Sequence, residues 1–137
     1  MKAETTHVSG GCLCGRIRYE ADVFLLNGYI CHCTICRKST GQPAEITVLI
    51  KAGTLRYIKG EPKYFVTSQS GKRGFCGECG SVLFWKGAGR DYTAIAAGSL
   101  DGPTGLKLEG HIFCESAGDY YEIAGGDYRR ARWMKDS

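Results

Sequence analysis

The sequence predicts a mainly β fold of short antiparallel strands with little helix, organised around two zinc sites. Three observations predict it. Twenty glycines in 137 residues, with turn signals roughly every ten positions, favour short extended segments over long helices. The runs between those turns are β-branched or alternate apolar with charged residues. Eight cysteines fall mostly in C-x-C and C-x-x-C pairs, which are short chelating units.

A chain of this length is expected to form one domain, 1–137, with a real hydrophobic core. Its 43% apolar and 23% charged content match an ordinary soluble globule. Met1 to Ser9 lacks the apolar run of a secretory signal, and no stretch approaches the ~18 apolar residues of a membrane span. The expected location is therefore the cytoplasm, with no membrane partner. In that reducing setting clustered cysteines read as metal ligands rather than disulfides. The formal charge is +4, and seven thiolates holding two Zn²⁺ would bring it to about +1. The basic excess thus gives no reason to expect a nucleic-acid partner.

Along the chain, Cys12-Leu13-Cys14-Gly15 leads into Arg16 to Glu20, where Ile17 and Tyr19 alternate with charges as on a half-buried strand. Phe24 to Ile30 reads as a second strand delivering the chain to Cys31. Thr34 to Ser39 is the best helical turn, with Gly41 placed to stop it. Thiolates at its start would be favoured by the helix dipole. Ala44 to Ile50 is a β-branched strand, turned by Lys51-Ala52-Gly53 into Thr54 to Ile58. Gly60-Glu61-Pro62 turns the chain again. Lys63 to Gln69 and Lys72 to Phe75 predict a hairpin around Ser70-Gly71. After Cys76-Gly77-Glu78-Cys79-Gly80 come strands at Ser81 to Lys86 and Asp91 to Ala97. A Gly/Pro loop, Gly98 to Gly105, precedes a strand at His111 to Cys114. The basic tail 129–137 is expected to fray.

Two groups of cysteines carry the chemistry. A C-x-x-C followed by glycine directs backbone N–H groups at its sulfurs and needs two further ligands, which the Cys12-x-Cys14 pair supplies. Cys12, Cys14, Cys76 and Cys79 therefore predict a closed structural zinc joining the first strand to a late hairpin. In Cys31-His32-Cys33-Thr34-Ile35-Cys36, extended chain puts Cys31 and Cys33 on one face and turns His32 away. A helical turn then brings Cys36 beside Cys33. Three ligands leave a coordination position open, as catalytic zinc requires. The spacing also admits a closed site completed by Cys114, His111 or His32, an iron–sulfur ligand set, or a redox pair of Cys33 and Cys36.

Five ordered motifs narrow these options. Gly10-Gly11-Cys12-Leu13-Cys14-Gly15, Cys31-His32-Cys33-Thr34-Ile35-Cys36-Arg37-Lys38, Arg73-Gly74-Phe75-Cys76-Gly77-Glu78-Cys79-Gly80-Ser81, Ala97-Gly98-Ser99-Leu100-Asp101 and His111-Ile112-Phe113 follow one another. Over about 10–121 the chain resembles the family of the glutathione-dependent formaldehyde-activating enzyme, which also includes centromere protein V. The resemblance implies a β-tent fold with two zinc ions per chain. It assigns Cys12, Cys14, Cys76 and Cys79 to the structural zinc, and Cys31, Cys33 and Cys36 to the catalytic one. Two departures stand out. Many relatives carry lysine-alanine-proline-tryptophan after the histidine strand, where this chain has Ser116-Ala117-Gly118-Asp119-Tyr120. Cys114 is an extra thiol, and it would close the second site if it reached the metal.

The activity implied is that of a zinc-dependent carbon–sulfur lyase, adding the glutathione thiol to formaldehyde or a related small aldehyde, or the reverse. The open position would hold the substrate sulfur as thiolate, or polarise the carbonyl. The first is favoured, because zinc surrounded by thiolates is a weak Lewis acid. Arg37, Lys38, Lys72 and Arg73 are candidates for glutathione's carboxylates, Arg73 foremost. His111 reads as a structural hydrogen-bonding histidine, Ser99 and Asp101 as turn residues, and Phe84 and Trp85 as core. The competing expectations are a zinc-stabilised binding module and a carrier that holds glutathione adducts without turnover.

Overall fold

A computed structural model describes residues 4–89 and 91–123. The predicted tail 129–137 lies outside them. Nine strands, one α-helix and two 3-10 turns are present: β1 (Thr5–Gly11), β2 (Arg18–Cys31), α1 (Thr34–Thr40), β3 (Glu45–Ile50), β4 (Arg56–Lys59), β5 (Lys63–Ser68), β6 (Gly71–Phe75), β7 (Val82–Gly87), β8 (Thr93–Ala96) and β9 (Leu108–Ile112). The 3-10 turns are Ala97–Ser99 and Cys114–Ser116. The predicted mainly β class is the observed one. No described helix is long and apolar enough to cross a membrane.

The sheet runs β1-β2-β3-β8-β7-β6-β5, with β4 and β9 also on β2. Every pairing is antiparallel except that of β2 with β9. β2 is the spine. Its first half lies between β1 and β4, and its second half between β3 and β9. The expected break between Glu20 and Phe24 does not occur. Pairing of Arg18 to Phe24 with β1 and of Gly28 to Cys31 with β3 and β9 holds the fourteen residues as one strand, and a register shift between Val23 and Gly28 absorbs the change of neighbours. A Cβ at Gly28 would lie 2.6 Å from the end of the exposed Leu108 side chain of β9, which would have to move aside to admit it.

Period-2 alternation places the core. Ile17, Tyr19, Ala21 and Val23 point inward from the start of β2, while Arg18, Glu20 and Asp22 point out to ion pairs or hydrogen bonds. Val48, Ile50, Leu83, Phe84 and Ile95 complete this cluster, and Tyr19 meets Phe84 edge-on. Cys12 and Cys76 close one end of it. A smaller cluster of Cys31, Cys36 and Ile112, packed by Tyr29, Cys33 and Phe113, forms at the far end of β2. One long strand thus connects the neighbourhoods of both cysteine groups.

The loop containing Ser99 and Asp101 is held as turn residues would hold it. The Tyr19 and Ser99 hydroxyls lie 2.6 Å apart, and Ser99 donates to the Ala96 carbonyl. Asp101 pairs with Arg18 and accepts from Ser9.

Candidate functional site

Both predicted groups of sulfurs assemble. Within each group all Sγ atoms lie within 4.8 Å of one another, and either group could hold a metal ion. In the first, Cys12 and Cys14 are separated by 3.5 Å and Cys14 and Cys76 by 3.8 Å. A disulfide requires about 2.05 Å. Tetrahedral Zn–S bonds of about 2.3 Å place sulfurs about 3.8 Å apart, so the donor set fits a four-thiolate ion. The supporting amides are in place. Cys76 Sγ accepts from the Glu78 and Cys79 N–H groups, and Cys12 Sγ from that of Ile17. Gly15 (φ 79°) and Gly80 (φ 78°) turn the chain through the left-handed region just after the ligands.

The second group sits where β2 gives way to α1. Cys33 is the N-cap residue, extended (φ −64°, ψ 156°), and its sulfur accepts the Cys36 N–H at 3.3 Å. Gly41 ends the helix in the left-handed conformation, with its N–H on the Arg37 carbonyl. Three crowded thiols share their protons unequally. Hydrogen bonds from Cys31 and Cys36 hold Cys33 far down, at about 2, whereas the interaction with Cys33 pushes Cys31 up to about 12. Neighbouring thiols and burial push Cys36 higher still. All eight cysteines are free.

The alternatives for a fourth ligand are placed elsewhere. His32, 1% exposed, turns away from the sulfurs, as extended chain requires. Its Nε2 meets His111 Nδ1 at 2.8 Å, and its Nδ1 is hydrogen-bonded to the Tyr121 hydroxyl. Burial lowers the His32 pKa, with His111 adding to it, so the ring stays neutral at neutral pH. Cys114 opens a 3-10 turn and belongs to neither sulfur group. Aromatic rings pack around His32 after the second 3-10 turn. Tyr121 lies against His32 and Tyr120, and Gly118 gives the Tyr120 ring its room.

Above the second group is a cleft of about 320 Å³, lined by its three sulfurs, Glu45, Arg73, Trp85, Tyr92 and Phe113 among others. Arg73 and Glu45 form a buried pair, 5% and 6% exposed, in which both carboxylate oxygens accept from Arg73 Nη1 at 2.7 Å. Arg73 Nη2 reaches Cys36 Sγ at 3.9 Å, and its Nε lacks a hydrogen-bond partner. Burial drives the Glu45 pKa up, opposed by Arg73. Register sets the lining. Arg73 is opposite Trp85 across β6 and β7, so both side chains share the cleft face. Phe84 is core as expected, but Trp85 is a cleft residue, packed edge-on to Tyr92.

The other predicted cations separate. Arg37 Nη1 donates to the Ser116 carbonyl, tying α1 to the second 3-10 turn. Lys38 lines a hollow of about 440 Å³ with Ser39, Phe65, Thr67, Phe75 and Val82, and Arg73 is the wall it shares with the cleft. Lys72 points to the opposite face of β6, with Nζ 4.4 Å from the Tyr64 ring centre, and so lies away from the sulfurs. Sequence reasoning missed Glu45, Trp85 and Tyr92 as site residues. Glu45 shares a face of β3 with Thr47, which also lines the cleft, while Val48 and Ile50 point the other way into the core.

Comparison with known proteins agrees with this geometry. A family model described as glutathione-dependent formaldehyde-activating enzyme matches residues 7–116. No curated protein matches. Among solved structures, a Rhodobacter sphaeroides protein determined by structural genomics is similar in fold, with a TM-score of 0.59 and 20% identity. That similarity covers 69% of this chain and 89% of the other.

Proposed function

We propose, from the premise that this chain belongs to the glutathione-dependent formaldehyde-activating enzyme family, that it is a zinc-dependent carbon–sulfur lyase. It joins the glutathione thiol to a small aldehyde, or cleaves the adduct, over Cys31, Cys33 and Cys36. The observation that carries this reading is a convergent trio of sulfurs, with no fourth protein ligand in the group among the described residues, on the floor of a cleft. Cys12, Cys14, Cys76 and Cys79 would hold the second, structural zinc.

Cys31, Cys33 and Cys36 would hold the zinc ion, which would supply the charge that keeps an incoming thiol as thiolate near neutral pH. The chain's own residues do the rest. The Cys36 N–H holds Cys33 Sγ in place from the helix start, and Arg73 Nη2 does the same for Cys36 Sγ. Glu45 fixes the guanidinium and balances its charge. Trp85, Tyr92 and Phe113 wall the cleft and exclude bulk water from the reacting carbon. Lys38 lines the adjoining hollow and would supply the charge for a glutathione carboxylate. In the reaction the substrate sulfur attacks the carbonyl carbon, the C=O electron pair moves to oxygen, and that oxygen takes a proton. Solvent carries the proton, because both Glu45 oxygens are engaged by Arg73.

Exchange spectroscopy of glutathione with formaldehyde tests the reading. The zinc-loaded protein accelerates interconversion with the hydroxymethyl adduct, and Cys33→Ser abolishes the acceleration. An unaccelerated exchange at every protein concentration would overturn catalysis and leave a carrier or binding module.

A further inference from the structure

We infer that the cleft over Cys31, Cys33 and Cys36 selects an uncharged aldehyde bearing an apolar branch or ring, in preference to formaldehyde. This deepens the proposed function and rests on it for the reaction. Formaldehyde carries no substituent to bury against the wall of this cleft of about 320 Å³, which the cysteinyl end of glutathione would share. Ile35, Trp85, Tyr92, Ala94, Ile112 and Phe113 make most of the lining apolar, with Thr47, Ser68 and Ser70 also present, and a mainly apolar wall rewards an apolar occupant. Among the described lining residues the one cation is Arg73, and its charge is balanced by Glu45. An anionic aldehyde finds no uncompensated positive charge there.

A second observation singles out Phe113. It is the one non-glycine among the described residues with positive φ, at φ 55° and ψ 39°. A bulky residue in the left-handed region is strained and persists only where its surroundings enforce it. Glycine would occupy that conformation without cost. The strained position instead carries an aromatic side chain that lines the cleft beside the sulfurs.

The chemistry balances without a further reagent. The thiol sulfur forms a bond to the aldehyde carbon, the carbonyl pair goes to oxygen, and the thiol proton ends on that oxygen to give a hemithioacetal. Carbon–sulfur bond formation is unchanged by the substituent, which contributes only its burial against the cleft wall. One extra or missing methylene in a hydrophobic pocket is worth about 10–200-fold in specificity.

The test uses the zinc-loaded full chain. Glutathione exchange is followed with 3-methylbutanal, formaldehyde and glyoxylate. Binding of the unreactive analogue 3-methylbutan-1-ol is followed separately by the emission of Trp85, in a Trp133→Phe background. The expected result is a kcat/KM at least tenfold higher for 3-methylbutanal than for formaldehyde, with glyoxylate poorest. Phe113→Gly, chosen because it relieves the backbone, lowers that ratio about tenfold and weakens alcohol binding. Trp85→Leu lowers the ratio too, and keeps the test sound if Phe113→Gly misfolds. A preference for formaldehyde, or a ratio untouched by both variants, overturns the inference and leaves the proposed function standing. Alcohol binding that Phe113→Gly weakens, with no aldehyde turned over, does the reverse: it supports the apolar cleft and removes the lyase.

Discussion

The Arg73–Glu45 pair is the most consequential contact that no local pattern announces, and Glu45→Gln tests it. Both side chains are about 95% buried, and Glu45 receives two contacts of 2.7 Å from a single guanidinium nitrogen. Removing the carboxylate charge strands a guanidinium that has no other acidic partner among the described residues. Breaking a buried ion pair on one side costs about 3–5 kcal/mol. The glutamine oxygen can still accept one hydrogen bond, so the lower end, about 3 kcal/mol, is expected. With a urea m-value of about 2 kcal/mol/M, the unfolding midpoint falls by roughly 1.5 M. The assay is urea unfolding followed by circular dichroism at fixed, saturating zinc, since bound metal adds to apparent stability. The double variant Glu45→Gln, Arg73→Met removes the stranded charge and recovers at least half of the loss. A single variant within about 0.5 kcal/mol of the parent, or a double variant no better than the single, would refute the reasoning.

Other perturbations read different parts of the structure. Cys76→Ser, or chelation of the metal, is expected to unfold the domain cooperatively by circular dichroism, because the first sulfur group joins segments far apart in sequence. Gly10→Ala drives a Cβ to 2.4 Å from the Ser99 carbonyl and 2.6 Å from the Tyr19 hydroxyl, and should cost about 1–3 kcal/mol in thermal or urea unfolding. His7 has its pKa raised above 6.5, first by the hydrogen bond to Asp22 and also by Glu20. Its contribution to stability is complete below pH about 6.5 and is lost as pH rises through the higher folded value. NMR titration should place the His7 midpoint above 6.5, and Asp22→Asn should lower it.

Local chemistry made much of this fold readable. The helix after Cys33 follows from a short run ending at Gly41, and β3 follows from its β-branched residues. The hairpin of β5 and β6 turns at Ser70, beside the expected Ser70-Gly71. Both sulfur groups follow from spacing, since short chelating pairs need little help from the rest of the chain. What escaped depends on distant backbone. β1 has one fully apolar inward residue, Val8, and is a strand because β2 pairs with it from Thr5 to Gly11. β9 begins three residues earlier than expected and ends at Ile112, since parallel pairing with Gly28 to Cys31 decides its extent. Phe113 then turns through the left-handed region, which puts Cys114 in a 3-10 turn rather than on a strand. Glu45 and Trp85 became site residues only through the register that sets them on the face of Arg73.

The central claim is that three protein sulfurs grip a metal and leave one place for substrate. Anomalous diffraction at the zinc edge, on crystals of the unaltered protein that resolve the two sites, reads that shell directly. The account predicts Cys31, Cys33 and Cys36 around the ion with one light atom from solvent, exchanged for a fourth sulfur when glutathione is added. A fourth protein side chain in that place, unchanged by glutathione, would contradict it.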